Sequence, residues 1–185
     1  MPQFAATRKD LLVPVCTATK TMRLQRILLT ILLAAVALQI LYYYPLLPET
    51  VASHFGAAGR PNGWSSKEQF FGIYLGVLAL LLVSFAGAPT LLRRISPEWI
   101  NLPNREYWLA PERRARSIAI LGEEMLSFGN ATIGLIICAI QLAIQANLSE
   151  STRLANPAMW VLLAVYFLYA IFWTIRLYRK FPKKG

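Results

Sequence analysis

Four long stretches of the chain carry no charged residue: 27–48, 70–92, 125–147 and 154–175, each 22 or 23 residues of mostly Leu, Ile, Val, Ala and Phe. A helix needs about 20 apolar residues to cross the hydrocarbon of a bilayer. Helices at the surface of a soluble protein keep a polar stripe, and these stretches show none. The pattern predicts an all-α membrane protein with four transmembrane helices. It divides the chain into an N-terminal segment 1–26, one membrane domain over 27–178, and a basic tail 179–185. A signal-peptide core runs to about 7–15 apolar residues. The first stretch is longer than that and begins 26 residues into the chain, so it reads as a retained anchor.

Polar residues mark where the helices start. Ser65-Ser66-Lys67-Glu68 fits a capping box before the second span, and Asn156-Pro157 supplies a cap and a first-turn proline for the fourth. Pro111 does the same for the third, which begins as a solvated helix near Glu112 and extends to about 35 residues, roughly 50 Å. Within the spans Gln39, Asn130, Gln141 and Gln145 suit hydrogen bonds between helices. Gly72 and Gly76 form a G-x-x-x-G pair that, with Gly129 and Gly134, predicts close helix packing. Tyr42, Tyr43, Tyr44, Trp160 and Tyr178 sit at span edges, where aromatic anchors are common, and Trp173 either joins them or packs between helices.

Composition agrees with the pattern. Hydrophobic residues make up 56% of the chain and charged residues 15%, with a mean hydropathy of +0.46. That balance excludes a disordered chain, a collagen or a disulfide scaffold. Cys16 and Cys138 are the two cysteines, with no C-x-x-C or Cys/His spacing to hold zinc or an iron–sulfur cluster.

Charge changes the picture more. Nineteen basic residues against nine acidic ones give a net +10, which in a soluble protein would point to nucleic acid. Here the basic residues fall five before the first span, two, six and one in the successive connections, and five after the last. Alternate segments thus hold 16 and 3. The positive-inside rule places both termini and the middle connection in the cytoplasm, an N-in/C-in topology, and makes lipid the partner rather than nucleic acid.

Two connections carry candidate chemistry. The first, outside by this topology, holds the chain's one histidine, His54, and closes with Trp64. Arg60-Pro61-Asn62-Gly63 suits a tight turn, and the connection reads as a compact cap over the helix ends. His54 is either a proton sensor or metal ligand with Glu49 or Glu68, or a partner for the loop backbone. The cytoplasmic connection, 96–114, holds Pro97, Pro103, Pro111, Trp99 and Trp108. It suits a segment lying on the inner leaflet with Trp99, Tyr107 and Trp108 at the interface, or a docking site with Arg113 as a clamp. Glu123 and Glu124 flank the inner edge of the third span, where pairing with Arg116 or solvation is easy. Asn147-Leu148-Ser149 is a glycosylation acceptor in sequence.

The same two connections carry a family resemblance. Leu47-Pro48, His54-Phe55, Gly59, Pro61 and Trp64 look like the hallmark of a family of uncharacterised bacterial membrane domains. Asn101-Leu102-Pro103-Asn104 and Tyr107-Trp108-Leu109-Ala110-Pro111-Glu112-Arg113-Arg114 are similar to its second block. That domain forms the N-terminal part of SdpI-like proteins, which confer immunity to a secreted killing peptide. The resemblance covers about 27–146 and implies a fold and a bacterial cytoplasmic membrane rather than an activity. SdpI-like proteins continue into a further membrane domain, and this chain passes from the fourth span into a basic tail.

No Gly-rich phosphate loop, nucleophile elbow or H-E-x-x-H occurs, so the expectation is a non-enzymatic protein without catalytic residues, cofactor or metal. The expected function is accessory, immunity-like or signalling, with an outer ligand met through the first connection. The expected partners are a secreted peptide or another membrane protein, or further copies of the chain. The alternative is a small transporter or transporter subunit.

Overall fold

The computed structural model describes residues 15–182, with side chains described from residue 21. Arg8, Lys9, Lys183 and Lys184 from the charge count lie outside the described residues, as do the side chains of Cys16 and Lys20. The elements run α1 (Val15–Tyr43), β1 (Thr50–Phe55), β2 (Pro61–Ser66), α2 (Lys67–Arg94), a 3-10 turn (Pro97–Trp99), α3 (Arg105–Trp108), α4 (Pro111–Leu148) and α5 (Asn156–Lys180). Four of these helices are long and apolar enough to cross a membrane: α1, α2, α4 and α5.

The all-α expectation is corrected at one place, where residues 50–66 form an antiparallel β-hairpin. The tight turn is also relocated. It lies over Gly56–Arg60, where the Gly59 N–H donates to Gly56 O and the Gly56 N–H to Arg60 O, both at 2.8 Å. Gly59 supplies the positive φ, +72°, that such a reversal needs. Pro61 instead opens β2, a position a strand tolerates because its missing N–H falls at the strand's edge.

Helix ends follow local chemistry with small departures from expectation. α1 stops at Tyr43 rather than running to residue 48, because Pro45 disfavours helical geometry at Tyr44. The box on α2 is built one residue later than expected: the Gln69 N–H donates to Ser66 Oγ at 3.2 Å and the Ser66 N–H to Gln69 Oε1 at 3.4 Å. Pro111 and Pro157 both sit in the first turn of their helices. Asn156 is the first helical residue rather than a cap, and its side chain is used elsewhere.

α4 is the central element. Its 38 residues span roughly 57 Å, well beyond the roughly 30 Å of hydrocarbon. It packs against α1, α2 and α5. Two glycines set its approach to α2. A Cβ on Gly129 would lie 2.5 Å from Phe85 Cβ, and one on Gly122 would lie 2.9 Å from Pro89 Cγ. The G-x-x-x-G pair does not take part: Gly72 and Gly76 face away from the protein with nothing within 4 Å, as does Gly134. The expected packing role passes from that pair to Gly129 and Gly122, because α2 buries Phe70, Phe71, Tyr74 and Leu78 on its other face.

The contrast is measurable. Gly129→Ala is expected to destabilise the protein by about 1–3 kcal/mol through overpacking against Phe85. Gly76→Ala meets open space and is expected to be neutral or slightly stabilising. Thermal unfolding of the purified protein in detergent distinguishes the two.

Candidate functional site

The hairpin is fastened to the helix ends around it. Asn147, in the last turn of α4, presents its carboxamide edge-on to β1. Its Oδ1 accepts from the Ala52 N–H at 2.7 Å, and its Nδ2 donates to Ala52 O at 3.0 Å and to Ala143 O at 2.9 Å. One side chain thus pairs with Ala52 as a neighbouring strand would. Val51 and Ala52 are fully buried beneath this contact. At the tip, the Leu154 N–H donates to Gly59 O at 2.9 Å, and Asn156 Nδ2 donates to Ala57 O. Glycine is required at 59 on two counts, since a Cβ would also lie 2.6 Å from Leu154 O. At the base, Lys67 pairs with Glu49 at 2.8 Å and Tyr44 OH donates to Glu68 at 3.0 Å.

These anchors leave His54 and Trp64 exposed. Ser53 is an extra residue on β1, so Ala52 pairs with Trp64 and His54 with Gly63. His54 is exposed and covers Gly63, where a Cβ would lie 3.1 Å from His54 Cβ. Trp64 is 55% exposed. The acids proposed to act with His54 are engaged elsewhere, Glu49 with Lys67 and Glu68 with Tyr44, while His54 Nδ1 lies 3.3 Å from Ser53 Oγ. Among the described residues no three His, Cys, Asp or Glu side chains converge as metal ligands.

The second block sits at the opposite end of the bundle. Ile100, Leu102 and Leu109 are buried with Leu121 of α4 and Phe181 beyond α5. Trp108 packs edge-on to Phe181 at 5.5 Å and donates to Pro182 O at 3.3 Å. Arg113 stacks over the Tyr107 ring at 4.1 Å, and Ser117 Oγ donates to Trp108 O at 2.7 Å. Trp108 is thus partly buried against the protein, whereas Trp99 stays 82% exposed. Asn104 takes left-handed geometry, φ 51°, to start α3, and Asn101, Asn104, Arg105, Glu106 and Tyr107 help line an open cavity of about 510 Å³. Pro103 is half-buried, and Pro111 and Glu112 face outward at the start of α4.

Residues 29–86 match the family described as a domain of unknown function, DUF1648. The matched stretch runs from α1 through the hairpin into α2, and it contains Pro48, His54, Phe55, Gly59, Pro61 and Trp64. The second block, from Asn101 to Arg114, lies beyond it. The chain is also similar to an uncharacterized protein of Archaeoglobus fulgidus, 35% identical over 94 residues, which is 40% of this chain and 51% of that one. The chain therefore spans about half the length of that relative. No solved structure matches the chain.

The two blocks are not brought together: they occupy opposite ends of the bundle. Between them lies a hydrogen-bonded chain that joins three helices. Tyr74 OH donates to Gln39 Oε1 at 2.9 Å, Gln39 Nε2 to Gln141 Oε1 at 2.9 Å, and Gln141 Nε2 to Tyr43 OH at 3.0 Å. Asn130 Nδ2 donates to Gln25 O and Oε1, both at 2.9 Å. Sequence reasoning found the amides but missed Tyr43 and Tyr74, and it missed Asn147 as the clamp. The signal for Asn147 was its place at the end of an apolar span, opposite a connection whose backbone needed partners.

Asn147→Ala is expected to leave the buried Ala52 N–H and C=O without partners, costing about 1–3 kcal/mol. Hydrogen exchange of the hairpin amides should rise while exchange in α2 stays unchanged.

Proposed function

We propose that the chain is a non-enzymatic, multi-pass protein of the bacterial cytoplasmic membrane that meets a secreted peptide through the hairpin connection that carries His54 and Trp64. The observation that carries this reading is a rigidly held hairpin that leaves an imidazole and an indole exposed. A side chain kept for stability alone is usually buried, and an exposed aromatic on an anchored scaffold suits recognition. The likeness of both blocks to the domain at the head of SdpI-like proteins supports the location in a bacterial cytoplasmic membrane. The alternative, a small transporter, draws on the amide and tyrosine chain from Gln141 to Tyr74 between the spans.

Orientation is part of the proposal. Arg60, Lys67 and Arg153 are the described basic residues at the hairpin end, while Arg23, Arg26, Arg93, Arg94, Arg105, Arg113, Arg114, Arg116, Arg176, Arg179 and Lys180 lie at the other. This asymmetry supports an N-in/C-in arrangement with the hairpin outside. Reporter fusions at Pro61 and Asn104 test it: a periplasmic reporter should be active at Pro61 and a cytoplasmic one at Asn104, and the reverse pattern rejects the orientation.

Trp64→Ala and His54→Ala are expected to keep membrane abundance while losing protection of a deletion strain challenged with secreted killing peptides. Loss of abundance with loss of protection would assign both residues to structure. Full protection by both variants would remove His54 and Trp64 from function. Loss of uptake with intact protection would favour the transporter.

A further inference from the structure

We propose that the groove on α5 formed by Arg176, Arg179 and Lys180 above Phe172 and Ile175 binds an anionic phospholipid, in the leaflet at the end of the bundle opposite the hairpin. This rests on the membrane-spanning character of the helices and on neither the orientation nor the hairpin function.

The five residues follow the spacing i, i+3, i+4, i+7, i+8, which puts them on one helix face. They line an open cavity of about 210 Å³. α5 packs on α4 and, among the described residues, buries no side chain of its own, and the groove borders that contact, since Arg176 and Lys180 reach Glu124 of α4. Phe172 and Ile175 are 62% and 53% exposed. From Phe172 to Arg179 is seven residues, roughly 10 Å along the axis. That distance matches a phosphate at the headgroup level with the first part of an acyl chain below it.

Charge selects the occupant. Arg176 Nη2 lies 2.8 Å from Glu124 Oε1, and Lys180 Nζ pairs with the same oxygen. The Glu124 side chain is fully buried, whereas those of Arg176 and Lys180 are 40% and 33% exposed. A guanidinium has five N–H donors and an ammonium three, so each cation keeps donors for a second acceptor. Arg179 is exposed and adds a third cation. Even with the neighbouring buried acid Glu123 counted beside Glu124, three cations face two carboxylates. An anionic headgroup supplies the missing charge through short, charge-assisted bonds, and its chain covers the two apolar side chains. A free phosphate leaves that floor uncovered. A second copy of this face brings its own three cations against them.

The test uses the full chain in nanodiscs of equal phosphatidylglycerol and phosphatidylcholine, with retained lipids counted by native mass spectrometry. The wild type should retain phosphatidylglycerol over phosphatidylcholine. Arg179→Gln leaves both Glu124 pairs intact, so its melting temperature should match the wild type while its retention of phosphatidylglycerol falls roughly fivefold. Arg94→Gln, at the same end but on α2, should retain phosphatidylglycerol as the wild type does. Equal loss in both variants, or no preference in the wild type, overturns the site. Displacement of the lipid by equimolar glycerol 1-phosphate overturns the lipid as its ligand, and dimers without bound lipid overturn it in favour of a second copy.

Discussion

Hydrocarbon is as apolar as leucine, so the hydrophobic effect that drives a helix into a membrane does not choose its neighbours there. Contacts that lipid cannot make have to do so, and in this chain nearly all of them radiate from α4. Asn130 reaches α1 and Gln141 reaches Gln39 and Tyr43 on the same helix. Thr132 meets Tyr166 at 2.8 Å and Glu124 meets Arg176, both on α5. Ser117 holds the α3 segment and Asn147 the hairpin. Against α2 the choice is made by shape, with Phe85 seated on the bare Cα of Gly129. Each neighbour is thus fixed by a particular group at a particular level of one long helix.

The sequence pattern made the spans legible because charge is so costly in hydrocarbon that its absence over 20 residues is a strong signal. The amides inside the spans were legible for the same reason. The hairpin was not, since two six-residue strands in a Gly- and Pro-containing segment look like any irregular connection. What stabilises them comes from far away: Asn147 lies 95 residues from Ala52, and no local pattern announces it. The outward turn of Gly72 and Gly76 was hidden too. A small-residue pair marks where close approach is allowed, and the bulky face of Phe71, Tyr74 and Leu78 decided which side of α2 turned inward. The two motif blocks pointed to the hairpin and the α3 segment, without showing that one is an exposed, clamped surface and the other largely a packed aromatic corner.

The two ends of the bundle accordingly differ in kind. At the hairpin end polar side chains act on backbone, as Asn147 and Asn156 do, and they leave His54 and Trp64 uncovered. At the other end aromatic rings and cations also act on one another, Trp108 on Phe181 and Arg113 on Tyr107, beside side-chain bonds to backbone such as Arg114 Nη2 to Ile95 O at 2.6 Å. The first arrangement holds a small sheet in one place. The second gathers a long connection against α4 and the end of α5, so that the sequence between α2 and α4 takes a fixed path despite containing little regular structure.

The pairing of Glu124 also has a consequence in time. Its cations lie 52 and 56 residues further along the chain, so during synthesis α4 enters the membrane with a carboxylate whose partners do not yet exist. Until α5 arrives, that group lacks the two cations that face it in the folded chain. Arrival of the last helix brings both cations to Glu124. A chain broken off before Arg176 keeps an uncompensated acid at the lipid boundary. An unfinished copy therefore carries a charge balance at this level of α4 that the finished protein does not.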